Sequence, residues 1–229
     1  MTEHRLTENR TAALVLAGGQ ARRMAAVGRP LEGGQPVSST GGDKPLLTVG
    51  GRTMLEAVIA ALEVPNIAIS ANGYPARFAA FGLPVLPDGV FQGQGPLAGV
   101  LAGLEWAAAL GMTALLTAPG DMPFLPAGLA NWLAPAPGCV SSHGRRHHLV
   151  ALWPIDCATR LRALLSAPGP RQVAGFAERI GMRYAEYTVP TGDPFVNVNT
   201  LDDLTQARHR ADDGTGREPG QSCPGTKAG

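Results

Sequence analysis

Apolar residues recur along this chain in two rhythms. Short unbroken apolar runs stop at glycine, proline or aspartate, and between them lie longer stretches whose apolar positions repeat every three or four residues. Residues 11–17 (TAALVLA) form the first run and break at Gly18-Gly19, which predicts a buried strand entering a loop. Residues 28–42 (GRPLEGGQPVSSTGG) lack any period and are rich in Gly, Pro, Ser and Thr, so they predict an exposed, mobile loop. Residues 53–62 place Leu55, Val58, Ile59 and Leu62 at helical spacing, with Thr53 and Glu56 spaced as a capping box.

The alternation continues. Residues 66–70 and 84–86 predict strands with a helix over 74–81 between them, and residues 96–110 predict a helix led by Pro96, with Leu97, Val100, Leu101, Leu104 and Ala108 on one face. A fourth strand follows over 113–117. The second half is more mixed: strands at 138–142, 149–153 and 183–187, and helices at 155–165, 171–180 and 200–208. Strands alternating with helices imply an α/β fold with a largely parallel sheet, helices on both faces and ligands beyond the carboxyl ends of the strands. Gly18, Asn72, Asp88 and Asp121 all fall at such ends. One domain over residues 11–210 is expected, between a flexible start at 1–10 and a disordered tail at 211–229 that has no apolar pattern.

Composition narrows the function classes. The 229 residues are 45% hydrophobic and 16% charged, and no apolar run reaches the roughly 18 residues of a membrane span. The polar, acid-bearing start is unlike a signal peptide, so a cytoplasmic location is expected. A formal net charge of +1 offers no general attraction to nucleic acid or to a membrane. Cys139, Cys157 and Cys223 form no metal-binding or disulfide pattern. Only two lysines occur, Lys44 and Lys227, so Lys44 stands out in a chain whose other basic positions are arginine. A compact ammonium suits a phosphate oxygen in a tight site.

Four segments carry candidate chemistry. LAGGQARRM (residues 16–24) sets two glycines where main-chain N–H groups can approach an anion or a base edge, followed by Arg22 and Arg23. A tight turn beside a solvated basic face accounts for the same residues. Over residues 20–52, Arg22, Arg23, Arg29, Lys44 and Arg52 outnumber Glu32 and Asp43, which favours a polyphosphate. Asp43-Lys44 by itself reads as a loop ion pair; with the glycine loop, Lys44 becomes a phosphate ligand. Asp121, between Gly120 and Met122, is a single carboxylate suited to Mg²⁺, an ion held by one or two carboxylates plus substrate phosphates; a turn or cap role is the alternative. Asn197 and Asn199 share one face of an extended FVNVN segment and can orient a ligand without adding charge; a turn-and-cap role before the helix at Thr200 is the alternative. Arg145-Arg146-His147-His148 reads as a candidate phosphate-binding loop.

LAGGQARRM, DKPLL, GPLAGVLAGL, PGDMPFLP, HHLVALWP and FVNVNT occur in the order and approximate spacing found in the molybdenum cofactor guanylyltransferases. The chain resembles that family over roughly residues 12–208. The resemblance implies a Rossmann-like three-layer nucleotidyltransferase fold that moves GMP from GTP to the terminal phosphate of molybdopterin or Mo-molybdopterin, with Mg²⁺ as cofactor. Leu16, Ala17 and Gly18 would meet guanine; Arg22, Arg23 and Lys44 the phosphates; Asp88 the nucleoside; Asp121 the nucleotide and metal. Lys44, Asp121, Asn197 and Asn199 are the expected catalytic group, and His147, Arg171 and Asn199 the expected pterin contacts. Cofactor insertion and delivery proteins are candidate partners. Gly19 stands where relatives that use CTP tend to carry alanine, which favours the larger guanine.

This chain departs from the family pattern in three places. Residues 25–42, 18 in all, intervene where about three are usual. Ser70-Ala71-Asn72 replaces Asn-x-Asn, leaving Ser70, Asn72 or a backbone group as the nucleotide ligand. His147-His148 replaces His-Pro. A CTP-using or sugar-1-phosphate nucleotidyltransferase, and a nucleotide-binding regulator without turnover, are the competing readings.

Overall fold

The computed structural model describes residues 10–18, 44–188 and 192–213. Gly19, Arg22, Arg23 and residues 25–42 lie outside the described residues. The first apolar run is strand β1 (Thr11–Leu16), with Ala13 and Val15 facing one helical layer and Ala12 and Leu14 the other. A strand covered on both faces needs apolar residues at successive positions, which is why the run is unbroken. A small hairpin, β2 (Thr48–Val49) and β3 (Arg52–Thr53), leads into helix α1 (Met54–Leu62). The Thr53 hydroxyl accepts from the Glu56 N–H while the Glu56 carboxylate accepts from the Thr53 N–H, so the capping box is made as expected.

Strand β4 (Asn66–Ser70) runs parallel to β1 on one side, and β5 (Val85–Leu86) runs parallel to β4. Helix α2 (Pro96–Ala109) then crosses to β6 (Ala114–Pro119), which is parallel to β1 on its other side. Gly99 and Gly103 let α2 sit close to the sheet, since an added Cβ would lie 2.3 Å from the Ser70 hydroxyl and 2.6 Å from a Leu14 methyl respectively. These two glycines of the GPLAGVLAGL segment are therefore fixed by packing. Pro119 still pairs in register with Leu16 of β1, but it lies past Thr117, the last β6 residue paired with the antiparallel strand over residues 145–154, so its missing N–H costs no ladder bond on that side.

After the short helix α3 (Leu129–Leu133), strands β7 (Gly138–Ser142) and β8 (Arg145–Pro154) form a hairpin, helices α4 (Ala158–Ser166) and α5 (Val173–Arg179) follow, and β9 (Arg183–Glu186) lies parallel to β7. The seven-stranded sheet has the order β5-β4-β1-β6-β8-β7-β9. Strand β8, antiparallel to both neighbours, is the one reversed strand. Helices α1 and α3 cover one face of the sheet and α2, α4 and α5 the other. The last helix, α6 (Leu201–Asp212), packs with the small hairpin around Met54, Val198 and Leu204. It runs two residues into the stretch expected to be tail. Among the described residues no helix is long and apolar enough to cross a membrane.

Two expectations are corrected. Residues Pro75–Phe81 adopt the tighter 3-10 winding, because Phe78 is the only buried side chain there and no apolar stripe holds an α-helix down. Arg145-Arg146-His147-His148 is no loop. His143 and Gly144 take left-handed backbone angles (φ 48° and 71°), close the hairpin in two residues, and leave the basic quartet as the start of β8.

Candidate active site

The carboxyl ends of β1, β4, β5 and β6 lie along one edge of the sheet, and the site is built there. Chain order changes direction about β1: β4 and β5 lie on one side of it and β6 on the other, which opens a crevice at the switch point. The ends are tied through the main chain. The Ala17 N–H donates to the Ser70 carbonyl at 3.0 Å, and the Gly120 N–H to the Leu16 carbonyl at 3.0 Å. Leu16, Ala17 and Gly18 thus sit between the β4 and β6 loops. A Cβ at Gly18 would reach only ordinary contact distances, the nearest being 3.5 Å from the Ser70 carbonyl oxygen, and its φ is not left-handed. Among the described residues no contact demands glycine there, whereas a ligand approaching the main chain would.

Asp121, just past β6, is the hub of the site. Its Oδ2 accepts from Lys44 Nζ at 2.5 Å and its Oδ1 from Asn197 Nδ2 at 2.7 Å. Lys44 Nζ also donates to Asn199 Oδ1 at 2.7 Å, and the Val198 N–H donates to the Asp121 carbonyl at 2.9 Å. All four residues expected to be catalytic therefore meet in one cluster. Lys44 pairs with an acid 77 positions away in the chain. The side chains of Lys44 and Asp121 are 15% and 19% exposed, so the pair is partly desolvated yet open to a ligand. Gly120 is where Pro45 crosses β1, a Cβ there being 3.3 Å from both Pro45 and Val15, so the Lys44 turn (Lys44–Leu46) presses on the loop that carries Asp121.

A second acid, Asp88, stands past β5. Its Oδ2 accepts from Asn72 Nδ2 at 2.7 Å and its own N–H donates to Asn72 Oδ1 at 3.0 Å. Arg77 donates to the Asn72 carbonyl at 2.7 Å. Asn72 and Asp88 are therefore brought together, while Ser70 is buried with its hydroxyl against Gly99.

The expected pterin contacts are divided. Asn199 is in the Asp121 cluster. His147 is buried in β8, its Nε2 2.8 Å from the Ser142 hydroxyl and its ring 5.2 Å from that of Phe195. Burial, the largest influence, holds its pKa below the ordinary 6.5, and the nearby Arg145 acts in the same direction. Arg171 donates to the Leu165 and Ala167 carbonyls at the end of α4, while its buried Nε has no partner among the described residues. Sequence reasoning missed Ser142 and Asp193, whose side chains bond to each other at 3.1 Å. The signal in the chain is slight: Asp193 stands two residues before the FVNVNT segment.

Asp121 is the one carboxylate bonded to both Lys44 and Asn197 among the described residues, and a lone carboxylate of this kind fits a metal that takes most of its ligands from phosphate and water. No group of three or more His, Cys, Asp or Glu suited to a metal occurs among the described residues. A groove of about 460 Å³ between α4 and α5, lined by Arg160, Leu164, Phe176 and Arg179 among others, contains none of the clustered residues. Cys139 and Cys157 are buried thiols pushed up to about 11 and about 12, chiefly by burial, and so are poor nucleophiles.

This α/β architecture is that of the nucleotidyltransferases: the crystal structure of molybdopterin-guanine dinucleotide biosynthesis protein A from Archaeoglobus fulgidus superposes with a TM-score of 0.61 at 19% identity, over 89% of this chain and 99% of that one. Residues 13–180 match the MobA-like NTP transferase domain. The chain is 50% identical over 197 residues to a molybdenum cofactor guanylyltransferase of Acidiphilium cryptum, covering 85% of this chain and 92% of its relative. It is 44% identical over 209 residues to a molybdenum cofactor guanylyltransferase of Mesorhizobium japonicum, covering 86% and 93%. It belongs to the molybdenum cofactor guanylyltransferase family of nucleotidyltransferase enzymes.

Proposed function

We propose that this enzyme transfers GMP from GTP to the terminal phosphate of molybdopterin or Mo-molybdopterin and releases pyrophosphate. The observation that carries the reading is the meeting of Lys44, Asp121, Asn197 and Asn199 at the strand ends, in a chain half identical to a relative of that name. A pterin phosphate oxygen attacks the α-phosphorus of GTP in line with the leaving pyrophosphate. A phosphate monoester with a second pKa near 6 is already largely dianionic at neutral pH, so no protein base is needed. That agrees with a site whose central acid is held by a cation and an amide rather than by a histidine.

The guanine lies over Leu16, Ala17 and Gly18, and the nucleoside reaches Asp88, which Asn72 holds in place. Lys44, together with Arg22 and Arg23, meets the phosphates and offsets the negative charge that grows on the leaving group. Asp121 would hold Mg²⁺, which supplies Lewis-acid neutralisation of phosphate charge. Asn197 holds the carboxylate and Asn199 the ammonium, so both keep their headings without added charge beside the phosphates. His147, Arg171 and Asn199 are the candidate groups toward the pterin.

The test is pyrophosphate release with GTP and purified pterin cofactor. Turnover with GTP that far exceeds turnover with CTP supports the reading, and the reverse order replaces the guanine assignment. Binding of GTP without pyrophosphate release would make the chain a nucleotide-binding regulator instead.

A further inference from the structure

Residues 192–200 contain neither helix nor strand, yet they deliver two amides to the Asp121 cluster. Something outside a β-ladder must fix them. At the far end of the segment the Asp193 carboxylate is held from two sides: Oδ1 accepts from the Phe195 N–H at 2.9 Å, and both oxygens lie 3.1 Å from the Ser142 hydroxyl. Ser142 is fully buried at the end of β7. A serine hydroxyl has one proton, and a carboxylate can only accept it, so the remaining 2.8 Å contact requires His147 to donate its Nε2–H to Ser142. The network thereby assigns the tautomer of His147. Behind it, Arg210 of α6 donates to the Asp193 carbonyl at 2.8 Å and lies over the Phe124 ring at 4.2 Å, joining this segment to the loop that carries Asp121. Phe195, fully buried, packs on His147 and edge-on against Tyr187.

We propose that the His147–Ser142–Asp193 relay is a positioning device: it sets where Asn197 and Asn199 meet the Lys44–Asp121 pair, with Asp193 as its principal positioning residue. This rests on the GMP-transfer reading for its kinetic consequence, though not for its structural one. Asp193 is four residues from Asn197 and six from Asn199, and the intervening Phe195 and Val198 are anchored in apolar clusters, so little slack separates the acid from the amides. The relay also reassigns His147: the nitrogen facing Ser142 is committed to the fold, and its effect on the reaction passes through Asn197 and Asn199.

Steady-state kinetics and amide hydrogen exchange of residues 195–199 in the full chain test this, using Ser142→Ala, Asp193→Ala, Asp193→Asn, His147→Leu and His147→Gln. Misplacing the amides should lower kcat about tenfold or more in Ser142→Ala, Asp193→Ala and His147→Leu. The KM for GTP should stay within about twofold, because the proposed base and nucleoside contacts at Leu16, Ala17, Gly18 and Asp88 lie outside the relay. Exchange at Phe195 and Val198 should quicken in the same three variants. His147→Gln, which keeps an N–H donor at the same reach, and Asp193→Asn, which keeps an acceptor, should recover most of the loss. Ser142→Ala removes one oxygen from a buried site and guards against reading an unfolded protein. Wild-type kcat and exchange in Ser142→Ala and Asp193→Ala would overturn the proposal. So would a His147→Leu variant whose defect is confined to the KM for the pterin, since that marks direct contact. If the wild-type chain turns over no GTP, the GMP-transfer reading fails by itself, and exchange alone decides whether the relay holds the segment.

Discussion

Asp88 and Asp121 both stand at the carboxyl edge of the sheet, yet their surroundings fit them for different work. Asp88 faces a neutral amide 16 positions away, in a reciprocal pair that forms as soon as β4 and β5 lie side by side. Asp121 faces a cation and an amide brought from 77 and 76 positions away, one from each direction along the chain. The first acid has one oxygen held by a neutral amide, an arrangement that suits the hydroxyls of a nucleoside. The second shares its charge with an ammonium, which suits a place where phosphates and a divalent cation exchange partners. Two aspartates in similar strand-end loops thus acquire different surroundings from the partners that the fold delivers to them, and the proposed division of roles rests on that difference.

The sharpest way to break this comparison is to remove each acid in turn. Asp121→Ala should lower kcat by about 10³-fold, since it takes away both the anchor of Lys44 and the proposed metal carboxylate; circular dichroism should show the fold retained. Asp88→Ala should instead raise the KM for GTP about tenfold with kcat changed only a few-fold, as expected for lost binding of the unreacting part of a substrate. Equal losses of kcat in the two variants would end the division of labour. Asn197→Ala and Asn199→Ala should fall between them, at about 10 to 10² in kcat, measured by single-turnover pyrophosphate release.

The smallest expected effect is on stability, and it belongs to the ground behind Asp121. His147 and His148 both have pKa values lowered by burial below the ordinary 6.5. The unfolded chain therefore binds protons that the folded chain refuses. Their contribution is fully present above about 6.5 and is lost as pH falls from there through the lower folded values. Thermal melts should show a lower Tm at pH 5.5 than at pH 7.5, and His147→Gln should flatten part of that dependence. An unchanged slope would mean that His147 does not stay neutral on folding.

Much of this architecture was legible in the chain. Strands β1, β4 and β7 and helices α1 and α2 follow from apolar runs and helical spacing long enough to outweigh local ambiguity, and the capping box at Thr53 marked the start of α1 to the residue. The β2–β3 hairpin and the five-residue α3 went unseen because elements that short carry no period. At the start of β8 the charged residues suggest a loop, whereas the turn at His143-Gly144 sets the boundary. At the site, Lys44, Asp121, Asn197 and Asn199 were recognisable by residue type and motif, but Lys44 had a plausible partner in Asp43 right beside it. Ser142 and Asp193 carried almost no signal, since a serine in a strand and an aspartate in a Gly-Asp-Pro turn are common.

The sequence by itself determined the layering, the strand ends and the residue types available there, because apolar periodicity and caps act over a few residues and can be read locally. Only the tertiary structure decided which acid holds which partner. Lys44 meets Asp121 and the two asparagines because β1 and β6 are adjacent and because the segment after Asp193 is pinned to β7, and both facts depend on hydrogen bonds between residues far apart in the chain. Such pairings are settled by the register and packing of the whole sheet, and no local window of sequence contains them.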